Sequence, residues 1–198
     1  MTRKDIMDLM KLEGVKYELT SNDAVIFLED ATLNTNTLKK LIVDNGGSLP
    51  FRIERAEGNL ILKRMFLKTM RNFPAKVEGD LDISYNKIQK FANTKTVEAG
   101  LIANNCDFYD LDGMPRVGEE IDLAYNHLTH LTHLQPEIFG DLTLSNNRLK
   151  TIADHVIHGN LNASNNILVN EPTAKVHGTM VCENNPYNPS DDFDHARW

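Results

Sequence analysis

The sequence predicts an α/β solenoid, a stack of very short parallel strands behind an N-terminal α/β cap, and three observations carry that prediction. A frame written apolar, x, apolar, x, x, Asn, x, apolar, x, x, apolar fits Leu81 to Phe91, Ile121 to Leu131 and Leu142 to Ile152. Counted by their first apolar residue, the copies begin at Leu60, Leu81, Leu101, Ile121, Leu142, Leu161 and Met180, with spacings of 21, 20, 20, 21, 19 and 19. The sixth position reads Asn86, Asn126, Asn147, Asn166 and Asn185, with Cys106 in the third copy and Met65 in the first. A steady period of roughly twenty residues marks a solenoid, in which each coil buries its apolar face only against its neighbours.

Residues 1–57 do not show the repeat clearly and read as the cap. Thr2 can cap a helix beginning at Arg3, with Asp5 near its positive end, an apolar stripe of Ile6, Leu9, Met10 and Leu12, and Gly14 to stop it. Val25 to Leu28 reads as a short strand after the turn-forming Ser21-Asn22-Asp23. A second helix is expected from Asn36 through Val43, ending at Gly46-Gly47, and Phe51-Arg52-Ile53 alternates like a strand. A cap has a physical purpose, because the first coil of a solenoid otherwise exposes an apolar face and an open sheet edge. No linker rich in Gly, Ser or Pro separates residues 1–57 from the array, which favours a cap over an independent module.

Residues 58–188 form the array. Two apolar residues flanking one polar residue make a minimal strand with both apolar side chains on one face. An inward Asn after that strand is expected to hydrogen-bond backbone groups of its own coil and the next, groups that are costly to bury unpaired. Cys106 can substitute as a small buried weak donor. Met65 cannot make those bonds, so the first copy is either a cap or out of register. Gly58, Gly79, Gly140, Gly159 and Gly178 each stand two residues before a strand, and Pro74 and Pro115 sit shortly before strands, where they do not interrupt ladder bonds.

On these residues the chain resembles the leucine-rich-repeat family, whose consensus is L-x-x-L-x-L-x-x-N/C-x-L. The family's leading apolar residue is shifted here, and Ala163 and Cys182 replace Leu in the last copies. Coils this short resemble the compact bacterial and phage-encoded members, whose convex side is extended rather than helical. A different solenoid, such as a β-helix, is the alternative, chiefly for the second half.

Residues 189–198 are an acidic tail, expected to pack Phe193 or Trp198 over the last coil or to hang free. Charged residues at 25% and apolar residues at 41% suit a soluble globular protein. No apolar run approaches the roughly 18 residues needed to span a bilayer. Cys106 and Cys182 both fall on inward positions nearly four coils apart, too far for a disulfide when parallel strands advance about 4.8 Å each. Two buried thiols suit the cytoplasm, of a bacterial host cell if the chain is phage-encoded.

The net charge of −7 is unevenly spread. Residues 58–76 carry five basic groups (Lys63, Arg64, Lys68, Arg71 and Lys76) and no acid, whereas from Val77 onward there are 8 basic and 18 acidic groups. That acidic surface repels phosphate backbones, which argues against nucleic acid and favours a protein partner with a basic surface.

Parallel, in-register stacking aligns two outward rows on the strand face. The row between the anchors contains Asp82, Ile102, Asp122 and Thr143; the row before the Asn ladder contains Tyr85, Asn105, Tyr125 and Asn146. Tyrosine offers a rigid area with a polar tip, a type enriched at interface hot spots. These eight residues are the candidate protein-binding site, with Asp82 and Asp122 placed to receive a Lys or Arg from the partner. The competing reading is that the tyrosines merely suit a strand and the asparagines a tight turn. His127, His130 and His133 recur every third residue, but they occupy polar spacer positions, so a stacked or solvated surface role is expected rather than a metal site. His158 and His177 precede matching glycines and are placed to stack on adjacent coils. No phosphate-binding loop, exposed nucleophilic cysteine or cofactor motif is present. The expected function is therefore a non-catalytic interaction protein, of the kind small bacterial effectors and phage-encoded inhibitors of host or defence proteins exemplify. A structural or homo-oligomeric assembly component is the alternative, and a metal-dependent hydrolase built on the histidine cluster is a more distant third.

Overall fold

The computed structural model describes residues 1–187. Elements run α1 (Arg3–Glu13), β1 (Tyr17–Leu19), β2 (Val25–Phe27), β3 (Ala31–Thr32), α2 (Asn36–Asp44), β4 (Ile53–Ala56) and β5 (Leu60–Ile61). Then come paired two-residue strands: β6 (Lys76–Val77) and β7 (Leu81–Asp82), β8 (Thr96–Val97) and β9 (Leu101–Ile102), β10 (Arg116–Val117) and β11 (Ile121–Asp122). The last are β12 (Glu137–Ile138) and β13 (Leu142–Thr143), β14 (Val156–Ile157) and β15 (Leu161–Asn162), β16 (Lys175–Val176) and β17 (Met180–Val181). The tail expected as a terminal cap lies outside the described residues.

The molecule is a β-solenoid of stacked parallel strands. The repeat anchors face one another in one eight-stranded sheet: Leu60 against Leu81, Leu81 against Leu101, and so on through Ile121, Leu142, Leu161 and Met180. Inside lie Leu81, Ile83, Ile88 and Phe91, all buried, as are their counterparts as far as Leu161, Ala163 and Leu168; in the last coil Met180 is exposed and Cys182 half-buried. Burying each such side chain contributes roughly 1.5–3 kcal/mol, so every coil adds core in proportion to its length.

Each coil also carries a second strand that the alternation did not show. Val77, Val97 and Val117 stack in parallel four residues before the anchors, in the six-stranded sheet β1-β2-β4-β6-β8-β10. Ile138 and Ile157 continue the row in a separate three-stranded sheet, β12-β14-β16. Between β10 and β12 the side chain of Gln135 fills the break, accepting from Val117 N at 2.8 Å and donating to the carbonyls of Val117 and Glu137. A side-chain amide there replaces one rung of the ladder.

The two strands of a coil meet at a corner, and the recurrent glycines sit in it. A Cβ on Gly79 would fall 2.2 Å from Asn59 Oδ1 and 2.7 Å from Asn59 N, so only hydrogen fits between the coils. Beside the glycines runs a second, outer ladder of short polar side chains. Asp30, Asn59 and Asp80 each accept from the backbone N–H of the equivalent residue one coil on, Asn59, Asp80 and Gly100. Asp141 and Asn160 do the same for Asn160 and Thr179.

The inner ladder forms with one change of direction. Asn86 Oδ1 accepts from Met65 N and Leu67 N at 3.0 Å, while its Nδ2 donates to Leu62 O and to Ile83 O. The amides thus bind their own coil and the preceding one, not the next. Asn126, Asn147, Asn166 and Asn185 follow the same pattern. Cys106 donates through Sγ to Ile83 O at 3.2 Å, again backwards.

Both sheets run across residue 57 without a break, since β2 pairs with β4 and β4 with β6 in one, and β3 with β5 in the other. Residues 1–57 therefore supply a coil of their own, with α2 on its far side, as well as a cover from α1 and the antiparallel β1. That arrangement explains Met65, whose copy is in register and fully buried. An Asn there would reach back to Leu38 N, but α2 begins at that point and its N-cap Thr35 already takes Leu38 N through Oγ1 at 3.2 Å. With the group satisfied, an apolar side chain fills the core. α1 has the expected Thr2–Asp5 capping box and the left-handed Gly14, with Ile6, Leu9 and Met10 buried but Leu12 exposed. The strand expected at residues 51–53 begins only at Ile53, with Arg52 O accepting Val25 N as its first ladder bond.

Candidate functional site

Each coil turns sharply after its strand, and the residue at that turn is left-handed in every copy. Arg64, Tyr85, Asn105, Tyr125, Asn146, Asn165 and Asn184 have φ of 56°, 57°, 52°, 54°, 58°, 56° and 57°. This turn keeps the fifth side chain outside while the sixth goes into the core. A left-handed conformation costs an ordinary L-residue roughly 1–2 kcal/mol, and Asn less because its short side chain bonds locally. Asn is thus the residue the backbone prefers, and four copies have it. Arg64, Tyr85 and Tyr125 are not explained by the turn.

The two tyrosines stand on the strand face as expected, 43% and 55% exposed. The Arg64 guanidinium lies 4.6 Å from the Tyr85 ring centroid and Lys63 Nζ 5.2 Å from it, both within cation–π range. Tyr109, also exposed, tilts against His127 with ring centroids 5.0 Å apart. Ile102, Asn105, Asp122, Thr143 and Asn146 are half-buried on the same face.

Asp82 corrects the expected picture. It is only 8% exposed, and its Oδ1 accepts from Ser84 N at 2.9 Å. Asp122 and Asn162 accept in the same way from Ala124 N and Ser164 N. The other carboxylate oxygen of Asp122 takes the Asn104 amide. The polar residue between the anchors thus closes the turn two residues on, a local bond that Asp and Asn make readily. The carboxylates expected to greet a cationic partner are engaged within the scaffold.

Next to Tyr85 the structure opens a cleft of 630 Å³ that sequence reasoning missed. Val43 at the end of α2, Phe66, Tyr85, Lys68 and Lys87 line it, with Asp107 at the far side. Val43 is 57% and Phe66 59% exposed, and Phe66 is itself left-handed with φ 60°. One signal was available: the seventh position holds Phe66 in this copy but Lys87, Asp107, His127 and Arg148 in the next four, before Ile167 and Pro186 in the last two.

The remaining chemistry-bearing groups serve the scaffold. Burial, as the first cause, pushes the Cys106 thiol up to about 12, so it stays protonated and unreactive at neutral pH. Cys182 is half-buried and also raised, again first by burial, and both cysteines are free. His158 stacks on Phe139, bonds Glu137 Oε1 at 2.8 Å and meets His177 edge-on at 4.8 Å. Among the described residues no three or more His, Cys, Asp and Glu side chains are grouped to hold a metal ion. No helix among them is long and apolar enough to cross a membrane. Comparison with protein-family models, with curated proteins and with solved structures finds no match.

Proposed function

We propose that this chain is a non-catalytic protein-binding module of the leucine-rich-repeat type, which engages a protein partner through its strand face around Tyr85 and Tyr125. The observation that carries the reading is the pair of exposed tyrosines held in a left-handed backbone where Asn would cost less. Strain retained at surface positions signals a use for the side chain itself, and tyrosine at the centre of an interface is typically worth about 2 kcal/mol or more. A cytoplasmic inhibitor of a host or defence protein, bacterial or phage-encoded, is the role that compact repeat proteins suggest, and that part rests on analogy of fold.

The test is recovery of a partner by the full chain compared with a Tyr85→Asn/Tyr125→Asn double variant. Asn suits the left-handed turn, so the variant is expected to fold. A drop of about thirtyfold in affinity is expected; unchanged recovery removes this face from consideration.

A second reading, an assembly subunit, draws on the C-terminal end. Leu161 N, Ala163 N and Asn165 N each donate into the coil of β17, and among the described residues no further coil follows to take the same bonds from β17. A cleft of 740 Å³, lined in part by Met180, Cys182 and Tyr187, lies at that end. Sedimentation of the purified chain separates the two, since a stable homo-oligomer supports assembly and a monomer supports the adaptor.

A further inference from the structure

We propose that the cleft between the end of α2 and the coils at Leu60 and Leu81 receives an acidic peptide segment of the partner, anchored by one aromatic or aliphatic side chain. This rests on the protein-binding reading and names the chemistry of what is bound.

The cleft has an apolar floor and a cationic rim. Val43, Phe66 and the Tyr85 ring present apolar surface to solvent, and Phe66 combines two costs, exposure and a left-handed backbone, that no neighbouring coil incurs at the seventh position. Lys68 and Lys87 line the cleft, and Arg64 and Lys63 lie over the Tyr85 ring at its margin. Among the described residues none of these four cations forms an ion pair, which they share with most Lys and Arg there, only Arg3, Lys16, Arg52, Arg55 and Lys76 being paired; what sets them apart is their grouping around one cleft. The stem of Lys68 is fixed across Gly47, where an added Cβ would meet Lys68 Cγ at 2.7 Å, and Lys68 N donates to Gly47 O at 2.8 Å. The cations are thus held at the cleft with their charge unspent.

In a chain of net charge −7, four unpaired cations around exposed apolar side chains match a ligand of opposite charge with an apolar anchor. A carboxylate-rich peptide fits better than a nucleic acid. Asp107 in the cleft wall opposes phosphate and carboxylate alike, but it can accept an N–H of the peptide backbone, a donor that a phosphodiester backbone does not offer. The strand-face basic partner expected from sequence required Asp82, which is buried.

The experiment is selection of a random displayed peptide library on the full chain, followed by affinity measurement of the enriched peptides. Three variants are compared: Phe66→Asn, Lys87→Glu and Tyr125→Asn. Phe66→Asn keeps a residue suited to φ 60°, so it separates loss of the anchor from loss of fold. Enriched peptides are expected to carry two or more carboxylates around an aromatic or aliphatic residue. Phe66→Asn and Lys87→Glu should each weaken them at least about tenfold. Enrichment of basic or neutral peptides overturns the inference, as does acidic binding that neither cleft variant weakens. Binding lost only in Tyr125→Asn also overturns it while leaving the strand-face reading intact. No enrichment of any peptide, or enrichment unmoved by all three variants, overturns the peptide inference, while the strand-face reading stands or falls with recovery of the partner by the Tyr85→Asn/Tyr125→Asn variant. A labelled single-stranded oligonucleotide run alongside covers the other polyanion: binding tighter than that of the peptides, lost in the same variants, would replace the peptide by nucleic acid.

Discussion

Two rows of left-handed residues run down the solenoid, one at each bend of the coil. The first holds Asn72, Asn93, Gly113, His133 and Asp154; the second, on the strand face, holds Arg64, Tyr85, Asn105, Tyr125, Asn146, Asn165 and Asn184. Every member of the first row is a type the left-handed region tolerates well. Asn72 and Asn93 add bonds from Nδ2 to the carbonyls of Leu49 and Met70 in the coil before. The second row obeys the same rule at its C-terminal end and departs from it only among the N-terminal coils. Where the scaffold alone decides, the residue is Asn, Asp, Gly or His. Arg64 and Tyr85 stand at the cationic cleft and Tyr125 two coils beyond it on the strand face, so the demand they meet comes from outside the coil.

Removing a ladder amide sets the scale against which the two rows are measured. Asn126→Ala leaves Phe108 N and Ala103 O without their bonds in the core, while Leu123 O keeps the bond from Asn147, and a loss of about 3–5 kcal/mol in a urea melt is expected. A loss under about 1 kcal/mol would mean that water or rearrangement serves those groups and that the scaffold does not depend on the ladder. Gly113→Ala probes the first row directly. Its φ is 75° and a Cβ would stand 2.6 Å from Phe91 O, so about 2–3 kcal/mol should be lost. Tyr125→Asn gives the smallest effect and the sharpest reading. Relief of backbone strain should raise stability by about 0.5–1 kcal/mol. If the change instead lowers the melting midpoint, Tyr125 belongs to the scaffold and the contrast between the rows collapses.

Much of this architecture was legible because the anchors and the ladder leave a dense periodic trace: one apolar pair and one amide in nearly every coil. What was missed left a thinner one. The second strand of each coil contributes a single inward residue, such as Val97 or Val117, too little for alternation to register. The coil at Ala31 satisfies the frame through Leu33, Asn36, Leu38 and Leu41, yet α2 occupies its far side and stretches the interval to Leu60 beyond the period. Asn36 is exposed there, because it is the first residue of α2 rather than the inward residue of a turn. Alternation correctly set Asp82 on the opposite side from Leu81 and Ile83, but it is silent on what covers that side. The cleft escaped for a related reason. A phenylalanine beside the apolar positions reads as core until the backbone is seen to turn it outward.

The backward reach of the ladder amides gives assembly a direction. Each coil has the backbone groups at its turn tied only when the following coil delivers its Asn, while in the earliest coil the equivalent group, Leu38 N, is closed by Thr35 at the start of a helix. A chain emerging from the ribosome N-terminus first can therefore nucleate at the helical end and zip towards the C-terminus, each new turn locking the one before it.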